Sequence, residues 1–309
     1  MVGLTTRLGP VTLRSPLIAA SGTVGSVIDA AGVIDFSRYG AAVAKSVAAT
    51  PWPGRPAPRM GPTGVGMLNG IGIQNPGIDA WAEEVGPDLA TLGVPVWGSA
   101  VGTTVEEFAT VASVLEATGV ASVEVNLSCP NLEGETMWAL DPLLAGSVVA
   151  EVRSATGLPI GAKLSPNAAD VVAVAEAALS AGADWLVLTN TAFGAGIDID
   201  RRRPTLSGVV GGYSGPGLKP ISLRCVVEVR RSLGPVPIVG TGGVMAARDV
   251  VEYLMAGASA VGIGTAHFHT PRIAARITRH LHRWARRAGV GDLSELVGVG
   301  LDPAAHPNA

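Results

Sequence analysis

Short apolar runs alternate along this chain with stretches in which apolar residues recur at helical spacing. The runs are LIAASG (17–22), AAVAKSV (41–47), PVWGSAVG (95–102), SVEVNLS (122–128), PIGAKLSP (159–166), WLVLTNT (185–191), VPIVGTGG (236–243) and AVGIGTA (260–266). Between them, TVEEFATVASVLEATG (104–119), PLLAGSVVAEVRSATG (142–157) and AADVVAVAEAALSAGA (168–183) have the three- and four-residue periodicity of helices. The first two end in glycine, where a left-handed cap is expected. Strands that are apolar throughout and alternate with helices predict a parallel sheet covered on both faces. Eight such units favour an α/β fold of the (β/α)8 TIM-barrel type, although strand count alone also admits an open doubly wound sheet. With no dividing linker and no low-complexity block, residues 1–309 read as a single domain. Two longer excursions, 48–79 and 192–218, each follow a strand. That places them as loop insertions at the C-terminal mouth, where barrel active sites lie.

Polar side chains cluster at the ends of the apolar runs: Ser21, Lys45, Asn126, Ser128, Lys163, Thr189, Asn190, Thr191, Thr241 and Thr265. In a barrel these ends converge on one mouth. Lys45 and Lys163 stand out, because a lysine aimed into a barrel needs an anionic partner or another hydrogen-bond acceptor. An internal ion pair would satisfy it as well as a ligand would. The turns VGTGGV (239–244) and GIGTA (262–266) follow the last two predicted strands and precede helices. Glycines there let backbone amides approach a phosphate, with a helix N-terminus adding a favourable dipole. By contrast, GVGMLNGIG (64–72) lacks the surrounding βαβ unit of a dinucleotide fingerprint and is not read as one.

Composition narrows the options. The net charge of −3 argues against a nucleic-acid surface. Forty-one glycines among 309 residues suit many close backbone approaches. The cysteines are Cys129 and Cys225, without CxxC spacing, so neither a disulfide framework nor an iron–sulfur cluster held by this chain alone is expected. Cys225 falls in a predicted helix and reads as a small buried hydrophobe. Cys129, in the polar loop NLSCPN (126–131), reads as a base or nucleophile. The histidines and carboxylates show no metal-ligand spacing, and no metal is expected. Arginines 272, 276, 279, 283, 286 and 287 form a stripe on a terminal helix predicted from 270 to 288, read as a solvated face. The N-terminal MVGLTTRLGPVTLRSP has no long apolar run, which predicts a cytoplasmic protein without a membrane span.

These residues together resemble the class 1 dihydroorotate dehydrogenases, and class 1B most closely, over nearly the whole length. The matching stretches are ASGT (20–23), AKSV (44–47), GMLNGIGIQNPG (66–77), NLSCPN (126–131), AKLSPN (162–167), TNT (189–191), GGYSGPGLKPISLR (211–224), GTGGV (240–244) and MAGASAVGIGTA (255–266). The resemblance implies FMN-dependent oxidation of (S)-dihydroorotate to orotate in pyrimidine biosynthesis. Cys129 would be the base at C5 while hydride passes from C6 to flavin N5. Substrate would be held by Lys45, Asn69, Gly70, Ile71, Gly72, Ile73, Asn126, Asn131, Asn190 and Thr191. Flavin would be held by Ser21, Lys45, Ser46, Ser99, Asn126, Lys163 and Thr189, with Gly215, Gly242, Gly243, Gly264 and Thr265 at its phosphate. The implied partners are an electron-transfer subunit carrying FAD and an iron–sulfur cluster, with NAD as final acceptor, and a second copy in a homodimer. Two features depart from the family pattern. The loop after NLSCPN reads LEGETMWALDP (132–142), and position 99 is serine where asparagine is common. A flavin dehydrogenase for another dihydropyrimidine or cyclic amide is the second reading. A weakly catalytic flavin-binding subunit is the third.

Overall fold

A computed structural model describes residues 2–128 and 137–302. Eight parallel strands close into a barrel: β1 (Leu17–Ala19), β2 (Ala41–Val43), β3 (Val96–Ala100), β4 (Ser122–Asn126), β5 (Ile160–Lys163), β6 (Trp185–Leu188), β7 (Ile238–Thr241) and β8 (Ala260–Ile263). The order around the barrel follows the chain, and β8 pairs with β1 through Val261↔Leu17 and Ile263↔Ala19. The pairing of β8 with β1 rules out the open sheet.

Helices pack outside: α1 (Ile78–Val85), α2 (Val105–Ala117), α3 (Pro142–Ala155), α4 (Val171–Ser180), α5 (Lys219–Leu233), α6 (Ala247–Met255), the single turn α7 (Ala266–His269) and α8 (Ile273–Ala288). Their starts are written locally. Thr104 caps α2 by accepting from Glu107 N, Asp141 caps α3 at Leu143 and Leu144, and Asp170 caps α4 at Val172 and Ala173. Strand residues alternate between two cores, as period-2 geometry requires. Val123 and Val125 of β4 join Val111 and Leu115 of α2 and Val148 and Val149 of α3 in the outer core. Facing inward, Ile18, Val43, Trp97, Trp185, Val187 and Val239 fill the lower barrel. The Trp97 and Trp185 rings lie 5.0 Å apart. An antiparallel hairpin, Thr6–Leu8 with Val11–Leu13, adds Leu8 and Leu13 to that cluster. The barrel is therefore packed at one end, and polar residues have only the C-terminal mouth to occupy.

The two excursions are not irregular loops. They supply the four strands of one antiparallel sheet over the mouth, in the order Ala192–Ala195, Val210–Ser214, Gly66–Asn69, Met60–Thr63. Strong register pairs such as Gly212↔Asn69 join segments far apart in sequence. The predicted 270–288 helix begins at Ile273, and arginines 272, 276, 279, 283, 286 and 287 are all exposed, as a solvated face requires. Cys225 in α5 is fully buried, and burial pushes its thiol up to about 11. Among the described residues no helix is long and apolar enough to cross a membrane, and no cluster of His, Cys, Asp or Glu has metal-site geometry.

Candidate active site

One residue along from Val123 and from Val125, alternation turns Glu124 and Asn126 to the opposite face of β4 from the helices. Asn126 is in register with Lys163, the last residue of β5, and both border a cavity of about 230 Å³ at the mouth. Lys45 also borders it, but from two residues beyond the end of β2 rather than from within a strand as the apolar run suggested. The carboxylate of Glu124 lies 3.3 Å from the Lys163 ammonium, and both side chains are buried. Lys163 is thus at once part of an internal ion pair and part of the cavity wall.

One side of the cavity is a connected set of amides and hydroxyls. The Ser46 and Ser99 hydroxyls are 2.9 Å apart, and Asn126 Nδ2 donates to Ser46 Oγ at 3.0 Å. Asn190 Nδ2 donates to Asn126 Oδ1 at 3.3 Å, and Asn190 Oδ1 accepts from Thr191 N at 2.8 Å. The Ser128 amide and hydroxyl also reach Asn126 Oδ1, each at 3.4 Å. That network fixes the direction of the chain as it enters the NLSCPN loop, because each buried group has an assigned partner. Across the mouth, Asn69 Nδ2 donates to Gly212 O at 3.2 Å, tying the two excursions together. Asn75 Oδ1 accepts from Ala48 N and Gly77 N while its Nδ2 donates to Ile73 O, which holds the 69–77 turn against the barrel.

The opposite side is built from backbone. Gly215, Gly242, Gly243, Gly264 and Thr265 border the cavity. Among the described residues, the amides of Gly242, Gly243, Gly264 and Thr265 have no hydrogen-bond acceptor in the protein. Adjacent free N–H groups of this kind form an anion-binding concavity. Tyr253 donates to the Gly242 carbonyl at 2.8 Å and steadies the turn. Gly243 has φ +68°, and a Cβ there would lie 2.8–2.9 Å from Lys219 and the Gly215 carbonyl. Gly264 differs: a Cβ would meet nothing closer than 3.8 Å, so neither strain nor packing demands glycine. What a side chain at 264 would take up is the space of the cavity itself. One expectation changes here. The first turn of α6 contributes little to this cradle, because Asp249 already accepts from the amides of Met245 and Ala246 and pairs with Lys219.

Behind the cradle, His267 is buried, with Nε2 2.7 Å from the Tyr39 hydroxyl and Nδ1 3.0 Å from Thr23 Oγ1. The Thr23 hydroxyl donates to Ala20 O, so the ring carries its proton on Nδ1 and accepts from Tyr39. Burial lowers the His267 pKa from 6.5 to about 4. The unfolded chain therefore takes up a proton at higher pH than the folded one. Stability is full above about pH 6.5 and falls by roughly 3 kcal/mol as the pH drops to about 4. In urea unfolding at neutral and acidic pH, His267→Gln should show a shallower loss across this window; slopes equal to wild type would refute the assignment.

Of the residues selected from sequence, Ser21, Lys45, Ser46, Asn69, Ile71, Ile73, Asn126, Lys163, Thr189, Asn190, Thr191 and the five phosphate-turn residues border this one cavity. Gly70, Gly72 and Ser99 do not; Ser99 stands behind Ser46. Cys129 and Asn131 lie outside the described residues. Sequence reading passed over Glu124, although a carboxylate in an otherwise apolar strand, two residues before Asn126, was a usable signal. It also passed over Met60, Met67 and Phe268 on the cavity wall, which nothing local in the sequence marks.

Fold and site together define a (β/α)8 barrel whose mouth joins a backbone anion cradle to a cavity lined by asparagine and lysine. The dihydroorotate dehydrogenase family profile matches residues 3–284. The catalytic subunit of dihydroorotate dehydrogenase B (NAD(+)) from Pelobacter propionicus is 45% identical over 298 residues, covering 96% of this chain and 98% of the relative. The protein of the same name from Desulforudis audaxviator is 43% identical and covers 94% of each chain. A solved structure, DHODH from Eimeria tenella in complex with ferulenol, superposes with a TM-score of 0.81 at 21% identity, over 97% of this chain and 89% of that one. At that identity it speaks for the fold. The chain belongs to the dihydroorotate dehydrogenase family, a family of flavin-dependent oxidoreductases, and the two bacterial relatives above are catalytic subunits of the class 1B, NAD(+) type.

Proposed function

We propose that this chain is the catalytic subunit of an FMN-dependent enzyme that oxidises (S)-dihydroorotate to orotate in pyrimidine biosynthesis. The observation that carries the reading is the meeting, in one cavity, of four amides without an acceptor among the described residues with Lys45, Lys163 and the asparagine set. The donor set suits FMN: backbone amides for the dianionic phosphate and a lysine for the ring edge that becomes negative on reduction. When bound, the flavin supplies the hydride acceptor for C6. The protein's part is to hold and deprotonate. Asn69, Asn126, Asn131 and Asn190 donate to and accept from the pyrimidine amides and carbonyls, as asparagine can. Lys45, Thr191 and the 69–73 backbone hold the ring and its carboxylate. Cys129 takes the proton from C5 as the C5–C6 double bond forms.

The same reading has the chain working in the cytoplasm as a single domain within a homodimer. It pairs with an electron-transfer subunit carrying FAD and an iron–sulfur cluster, and NAD is the final acceptor. The names of the relatives, which call them catalytic subunits of an NAD(+) enzyme, support a partner subunit and NAD as the acceptor.

Anaerobic mixing of the purified protein with dihydroorotate tests the reaction directly. The flavin's visible absorption should bleach within turnover time. A protein that takes up no added flavin would overturn the reading. A yellow protein that stays yellow would move the substrate to another dihydropyrimidine or cyclic amide, the second reading. The cradle has its own test. Gly264→Ala places a methyl group in the cavity without a clash elsewhere. It should weaken FMN retention at least about tenfold with the apo-protein melting unchanged, since one displaced hydrogen bond to a charged group is worth about 1.5–3 kcal/mol. Equal FMN affinity would remove Gly264 from the cradle.

A further inference from the structure

We propose that Glu124 is a positioning residue for electron transfer: its carboxylate holds the Lys163 ammonium and attenuates its charge at the cavity wall. In this way it sets how readily a bound flavin is reduced. The inference rests on the flavin reading above and extends it to a residue that never touches the cofactor.

Glu124 is 3% exposed and Lys163 7%, so the pair is screened little by solvent. Their separation of 3.3 Å is longer than the 2.7–2.9 Å of a strong charge-assisted hydrogen bond. The ammonium has three donors. Among the described residues Glu124 is its one protein acceptor, which leaves donors for the cavity that Lys163 borders. Glu124 does not border the cavity. Its neighbours in register are Ser99, whose hydroxyl is engaged with Ser46, and Gly161, which has no side chain. Any influence of Glu124 on a ligand therefore runs through Lys163 or through the field of its own charge.

Stability is a poor reason for such a pair. Desolvating two charges costs about as much as their attraction returns, and an apolar replacement of similar volume is often neutral or better. A graded field at the cavity wall is something an apolar pair could not supply. Negative charge accumulates on the flavin as it gains electrons. Lys163 favours that accumulation and Glu124 opposes it from further away, so the wall is positive but less so than a lone lysine would make it. Removing the carboxylate charge should favour the reduced flavin, and removing the ammonium charge should favour the oxidised one.

The test is the flavin reduction potential of the holoenzyme, measured by anaerobic dye-coupled titration, for wild type, Glu124→Gln, Lys163→Met and the double variant. Glu124→Gln should shift the two-electron equilibrium toward reduced flavin by at least about tenfold, which is about 30 mV. Lys163→Met should shift it the other way, and the double variant should lie nearer wild type than either single one. Glu124→Asp keeps the charge but draws it back, and should fall between wild type and Glu124→Gln; it also serves if the glutamine variant folds poorly. A purely structural pair would alter unfolding midpoints and leave the potential where it was. A yellow protein whose potential ignores these substitutions at Glu124, or moves toward the oxidised side, overturns the proposal alone. A wild-type chain that takes up no flavin overturns it together with the reading on which it rests.

Discussion

Replacing Cys129 by alanine is expected to leave the flavin bound and to cut dihydroorotate turnover by about a hundredfold or more, the usual loss when a general base is removed. The cradle and the lysines lie on other elements, so cofactor retention should not change. Cys129 follows Ser128, which is buried and tied to Asn126, so the chain enters the loop from a fixed point. An ordinary thiol has a pKa of about 8.5. A thiol acting as base should give a rate that rises with pH as thiolate forms, and the alanine variant should lose that limb. Stopped-flow measurement of flavin bleaching across pH separates the outcomes. Wild-type bleaching in Cys129→Ala would remove the residue from the mechanism.

Lys163→Ala should be nearly as damaging, in two ways at once. The cavity loses a cation, so flavin should be retained less well or reduced more slowly. The fold also loses the partner of a carboxylate that is 3% exposed. Breaking a buried pair from one side costs about 3–5 kcal/mol, because the remaining charge is uncompensated. Urea unfolding should show that loss, and adding Glu124→Gln should recover part of it, since a neutral amide carries a smaller desolvation penalty. The flavin-to-protein ratio after gel filtration reports the other effect. A variant as stable, as yellow and as quickly reduced as wild type would refute both parts.

The two lysines show how far a sequence can be read. Both were conspicuous as charges in apolar runs, because an inward-facing ammonium must find an acceptor. Whether that acceptor was a ligand or a carboxylate could not be told locally. Structure answers for Lys163 with a carboxylate 39 positions earlier, on the neighbouring strand, reached because β4 and β5 pair in the register Asn126↔Lys163. Glu124 carried a local signal, a carboxylate in an apolar strand, but its partner Lys163 lies across the ladder and only the tertiary structure brings the two together. The glycine turns after β7 and β8 were easier, since backbone conformation and helix entry are local properties, yet the capping of α6 by Asp249 was not anticipated.

Periodicity by itself determined the alternation of strands and helices, the parallel sheet and the placing of polar residues at the strand ends, because side-chain direction follows from the 2.0 and 3.6 repeats. Motif resemblance added the family. Only the tertiary structure decided that the sheet closes, through Val261↔Leu17 and its neighbours. It also decided that the two excursions build one sheet, in which Gly212 faces Asn69. Pairings of that kind join residues more than a hundred positions apart. Their stability comes from loop closure and burial shared across the whole chain, which no local window of sequence contains.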